Sequence, residues 1–100
     1  MFKIMTNDQV VKAWAEGNTA RNHRNTLIAD GAGALFSYGL KIGQRSHAGV
    51  CIVGDYTAGG GGYHSQTTSC HVGRAKRVPG ACVMHTKVWE ASPFSFEMPF

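Results

Sequence analysis

The sequence predicts an α+β fold: a small, mostly antiparallel sheet with an N-terminal helix and a short second helix after a Ser/Thr-rich segment. Three observations carry this. Residues 6–18, TNDQVVKAWAEGN, combine a helix cap with an apolar stripe. Residues 34–43, ALFSYGLKIG, alternate in polarity, and VCIVGDY is a nearly continuous apolar run. Residues 69–77, SCHVGRAKR, are polar and basic and are closed by Pro79-Gly80.

In the first element Thr6 stands three residues before Gln9, the capping-box spacing. Asp8 falls in the first turn, where negative charge suits the helix dipole. Val10, Val11, Ala13 and Trp14 form the apolar stripe, and Gly17 is a natural stop. Residues 18–33, with Arg21, His23 and Arg24 among asparagines, read as a polar, basic loop. The alternation that follows predicts one strand with Phe36, Tyr38, Leu40 and Ile42 on a shared face. QRSHAG reads as a turn, and VCIVGDY as an antiparallel partner strand suited to a sheet centre. The glycines at 59–62 favour a loop or a close approach of backbone to a ligand. YHSQTTS reads as extended, leading into a short helix capped by Thr68 or Ser69. ACVMHTKVW reads as the last strand, with Cys82, Met84 and Val88 on one face. The expected core includes Trp14, Phe36, Tyr38, Ile52 and Val88.

One hundred residues make a single domain, 1–100. A chain of this size buries only about 60–70% of its unfolded surface. The apolar tail, 92–100, carries Phe94, Phe96 and Phe100, which are expected to pack on the domain or on a neighbouring subunit of a homo-oligomer. Hydrophobic residues make up 43% and charged residues 16%, the balance of a globular chain rather than a disordered one. Cys51, Cys70 and Cys82 are an odd set without a Cys-x-x-Cys pair, which suggests neither a disulfide framework nor a zinc ribbon and fits a reducing cytoplasm. The opening MFKIMTNDQV is too polar for a secretion signal, and no run approaches the ~20 apolar residues of a membrane span.

The net charge of +4, with a pI near 9.2, favours an anionic partner. Charge of that size suits a small anion better than a long nucleic acid, whose binding neutralises many phosphates. The candidate site is the polar block. A helix start offers unpaired backbone N–H groups that bind phosphate. Ser65, Thr67, Thr68, Ser69 and His71 would donate to the ligand. Arg74, Lys76 and Arg77 would add charge, with Arg21 and Arg24 approaching from the linker. The same Ser and Thr residues also serve a purely local role as caps. Adjacent Cys70-His71 or Ser69-His71 is weak evidence for a nucleophile and its base, so no catalytic residue is assigned and no enzyme is expected. The histidines at 23, 47, 64, 71 and 85 have no zinc-site spacing, and neither metal nor cofactor is expected.

The stretch LFSYGLKIG, 35–43, taken with SQTTSCHVGRAKR, 65–77, resembles a group of small bacteriophage proteins. Their pattern is an aromatic-Ser-Tyr strand, a hairpin, and then Ser-x-Thr-Thr-Ser-x-His. Ser65, Thr67, Thr68, Ser69 and His71 fill the second part, and WAEGNTARNHRN resembles the group's helix and basic linker. The likeness spans roughly residues 10–77. It implies a phage origin and the cytoplasm of the bacterial host as location, but no reaction. The glycine run and the Phe-rich tail depart from the pattern. Taken together, these readings lead us to expect a phage accessory protein that holds a nucleotide or other phosphate-bearing small molecule, such as an immune signal of the host. Two alternatives stay open: an inhibitor of a host defence protein, in the manner of an anti-CRISPR, and a small nucleic-acid-binding protein.

Overall fold

The computed structural model describes residues 4–46, 48–57 and 65–92. His47, the glycines at 59–62, Tyr63, His64 and the tail from 93 lie outside the described residues.

The chain opens with a two-residue strand, β1 (Ile4–Met5), and helix α1 (Asn7–Ala15). Thr6 and Gln9 form the reciprocal capping box that their spacing predicts. Val10, Val11, Ala13 and Trp14 are the buried face of α1, and Gly17 beyond its end has a positive φ of 81°.

Residues 18–33, expected to be loop, instead contain two strands, β2 (Thr19–Asn22) and β3 (Leu27–Asp30). They bury Ala20, Asn22, Leu27 and Ala29 in alternation, a pattern too short to stand out among the polar residues. The alternating stretch 34–43 is a hairpin rather than one strand: β4 (Ala34–Ser37) turns through Tyr38-Gly39 into β5 (Leu40–Arg45). Both turn residues have positive φ, 51° and 79°, as a tight two-residue hairpin requires. Tyr38 therefore leaves the core and is 56% exposed. Gln44 and Arg45, expected in a turn, belong to β5, and Ile42 is the extra residue of a bulge opposite Leu35 and Phe36.

Strand β6 (Cys51–Gly54) pairs antiparallel with β5 and is buried along its whole length, as the apolar run predicts. Helix α2 (Gln66–Ala75) starts earlier than expected, with Ser65 rather than Thr68 or Ser69 as its cap. The final strand is shorter than expected. β7 (Cys82–Met84) gives way to helix α3 (Thr86–Ala91), which buries Trp89 and leaves Val88 56% exposed. Of the remaining expected core residues, Trp14 and Ile52 are buried and Phe36 is half-buried.

The seven described strands form one sheet in sequence order. The four inner pairings, β2 through β6, are antiparallel, and β1–β2 and β6–β7 are parallel. Both parallel steps pass through a helix, α1 or α2, as parallel neighbours require. α1 and α2 contact one another over one face of the sheet. α3 lies against β6 on the other face. Adjacent residues point to opposite faces, and the tryptophans follow this rule. Gly43, paired with Val53, receives the Trp14 ring, while Gly54, the next residue on β6, receives Trp89. Both indoles are anchored through Nε1, which donates to the Gly33 carbonyl from Trp14 (2.7 Å) and to the Lys41 carbonyl from Trp89 (3.3 Å). Among the described residues no helix is long and apolar enough to cross a membrane.

Candidate functional site at one end of the sheet

The pairings fix which chain segments meet. β2, β4 and β6 run in the same direction, so the β2–β3 turn, the Tyr38-Gly39 turn and the exit of β6 share one end of the sheet. α2 sits over that end. Its side chains reach Ser37 at the end of β4, Asp55 after β6, and Asp8 at the start of α1.

Capping fixes the face that α2 presents. The Ser65 hydroxyl accepts from the Thr68 N–H (3.1 Å), and Thr68, His71, Val72 and Ala75 then fall on the buried side at helical spacing. Thr68 and His71 do not open to solvent; they converge on Ser37. The Ser37 hydroxyl lies 2.7 Å from His71 Nδ1 and 3.1 Å from the Thr68 hydroxyl, and all three residues are buried. The Tyr38 ring stacks on the imidazole, with centroids 6.2 Å apart and planes at 27°. The Ser-Tyr pair and the Thr-x-x-His spacing, far apart in sequence, thus form one structural unit.

The basic turn is joined to the same unit. The Tyr38 N–H donates to the Thr26 carbonyl (2.9 Å). Asn22 organises that turn: its side-chain carbonyl accepts from the N–H groups of Thr26 and Leu27, and its amide donates to Thr26 and to Asn7. The Arg21 guanidinium donates to the Asn25 side chain, while His23 and Arg24 are exposed.

The other expected site residues divide by neighbour. Thr67 is exposed and Ser69 half-buried on the outer side of α2. Arg74 is paired with Asp8 at 2.6 Å and Lys76 with Asp55 at 3.1 Å, which fastens α2 to α1 and to the β6 exit. Arg77 is exposed. Ser37, Tyr38, Thr26 and Asn22 escape a reading based on charge and hydroxyl clusters. For Ser37 and Tyr38 a signal existed, because they form half of the resemblance pattern.

The electrostatics agree with the packing. Burial, reinforced by the Arg74 guanidinium one turn along α2, lowers the pKa of His71 from the usual 6.5, so the ring is held neutral. Burial would raise the Asp55 carboxyl, but hydrogen bonds from Thr57 and Lys76 and the Lys76 and His85 charges outweigh it and lower its pKa. Burial raises the Cys51 thiol despite the opposing charge of Arg45. Burial, together with the bond that Tyr56 donates to Glu90, raises the Tyr56 phenol. Among the described residues no three His, Cys, Asp or Glu side chains gather as a metal site. His85 caps α3, its Nδ1 accepting from the Lys87 N–H.

The chain matches no protein-family model, no curated protein and no solved structure.

Proposed function

We propose that this protein is a non-enzymatic binder of a small phosphate-bearing molecule, held at the sheet end where the β2–β3 turn, the Tyr38 turn and the first turn of α2 converge. The observation that carries the reading is the Tyr38-to-Thr26 hydrogen bond. It sets the turn that bears Arg24, with Arg21 at the end of β2 bonded to the Asn25 side chain of that turn, beside the turn that Ser37 ties to α2. The N–H groups of Gln66 and Thr67 are helix-start donors that α2 itself does not use, and Thr67 is exposed beside them. Arg24 supplies charge that no neighbouring carboxylate claims among the described residues, unlike Arg74 and Lys76. Ser37 and His71 have the spacing of a nucleophile and its base, but both are buried beneath α2 and Tyr38, where they serve packing better than chemistry on a substrate. The resemblance to phage proteins supplies the proposed setting: the host cytoplasm, where withholding a nucleotide signal from a host enzyme would serve the phage.

The test is the ultraviolet spectrum of the purified protein, followed by mass spectrometry of released compounds and calorimetry with the compound found. A phosphate-bearing small molecule should be recovered, and Arg21→Ala/Arg24→Ala should weaken its binding by about tenfold or more, the worth of one or two charge-assisted bonds. Recovery of long nucleic acid alone, or undiminished affinity in the folded double variant, would reject the assignment.

A further inference from the structure

We infer that the ligand of this site carries a planar base, for which Tyr38 is the stacking platform and His71 the residue that positions it. The inference rests on the binding reading above and adds the class of molecule: a nucleotide, rather than a sugar phosphate or an inorganic phosphate.

Tyr38 is placed against its intrinsic preferences. A β-carbon residue at φ 51° is strained, and a large aromatic ring that is 56% exposed gives up burial as well. Glycine would serve this turn without strain, as Gly39 does beside it. The ring is nevertheless fixed. One face lies on His71, and the Tyr38 backbone is bound to Thr26. His71 is only 1% exposed and cannot yield, because Nδ1 is bonded to Ser37 and Ser37 to Thr68. A buried three-residue network therefore supports an exposed aromatic ring on a turn that is bonded to the Arg24-bearing turn through Thr26 and tied to the first turn of α2 through Ser37 and Thr68. Aromatic rings so placed accept nucleobases, since every base has a π-face, while the adjacent cations and helix N–H groups take the phosphate.

The charges around the network make the support conditional on a neutral His71. Arg74 on the same helix opposes a second positive charge. The nearby carboxylates from α1 and the β6 exit, Asp8 and Asp55, are bound to Arg74 and Lys76 and so do not compensate it.

The experiment compares adenosine and guanosine 5′-monophosphate with ribose 5-phosphate and pyrophosphate by calorimetry. A mononucleotide should bind about ten- to a hundred-fold more tightly than ribose 5-phosphate, the worth of one stacked base. Tyr38→Ala should erase that preference and Tyr38→Phe should keep it; the side chain is exposed, so both variants should fold. Equal binding of ribose 5-phosphate and the mononucleotides, or a preference that survives in Tyr38→Ala, would overturn the inference while leaving phosphate binding intact. Failure of every phosphate compound to bind would overturn both readings. The positioning role is read from pH. Mononucleotide affinity of the wild type should fall from pH 7.5 to 5.5 more steeply than that of His71→Phe, measured with the same probe so that titration of the phosphate cancels. Identical pH profiles in the two proteins would reduce His71 to a packing residue.

Discussion

The ring of Trp14 occupies the space that a side chain on Gly43 would need. A β-carbon there would lie 2.7 Å from the indole, well inside van der Waals contact. Gly43 also sits beside the β5 bulge, so the strand bends where the helix presses closest. Gly43→Ala should therefore destabilise the protein by roughly 1–3 kcal/mol, the usual cost of overpacking. Trp14→Ala should cost about 3–5 kcal/mol. In a double-mutant cycle by denaturant unfolding, Gly43→Ala should be less harmful when Trp14 is already gone. Additive costs would show that the glycine is kept for another reason.

Tyr38→Gly should raise stability or leave it unchanged. The substitution removes a strained positive φ worth on the order of 1 kcal/mol or more, against loss of one exposed stack on His71. Thermal melts of the two proteins decide the point. A drop of several degrees would mean that the stack outweighs the strain, and that Tyr38 belongs to the structural rather than the binding surface.

Ser37→Ala should cost about 1–3 kcal/mol, because it strands His71 Nδ1 and the Thr68 hydroxyl in a buried place. Urea titration measures the cost. An effect below about 0.5 kcal/mol would mean that water or a rotated Thr68 replaces the serine.

Stability should fall in mild acid through His71. The imidazole is neutral when buried and binds a proton more readily when unfolded, so the unfolded state takes up more protons as the pH drops. The contribution is fully present above the unfolded value of about 6.5 and is lost as the pH falls through the lower folded value. His71→Phe should flatten this part of the curve of unfolding free energy against pH. Asp55 acts at lower pH and in the same direction: its depressed carboxyl contributes above the ordinary value near 3.8 and loses that contribution as it protonates. An unchanged curve between pH 7 and 5.5 in His71→Phe would show that the ring is not the group responsible.

What the sequence disclosed depended on how local the deciding interaction was. α1 was legible to the residue, because Thr6, Gln9 and Gly17 state its limits within the helix itself. β6 was legible because a strand buried on both faces needs an unbroken apolar run. The start of α2 was ambiguous, since Ser65, Thr67, Thr68 and Ser69 are all capable caps. What selects Ser65 is the bond from Ser37 to Thr68, thirty-one positions apart in sequence. The Tyr38-Gly39 turn was hidden because Tyr38 continues an apolar alternation and lacks the Asn or Asp that usually marks such turns. For the candidate site, the cationic and hydroxyl residues could be named from sequence. Which of them a carboxylate would claim could not, because Asp8 and Asp55 reach Arg74 and Lys76 only after the sheet has formed.

The order of the strands has a bearing on synthesis. Each strand pairs with the one made just before it, so every hairpin can close while later residues are still within the ribosome. Pairing of each strand with its predecessor keeps the ladder contacts local, which favours rapid assembly for a sheet-rich chain. Among the described elements, α2, β7 and α3 must await the last third of the chain, and α3 carries the indole that covers Gly54. A nascent chain halted before residue 82 would present β6 as a raw edge with one face of Ile52 and Gly54 uncovered. Truncations ending there should accumulate as aggregates, whereas the completed chain closes that edge with its own final strand.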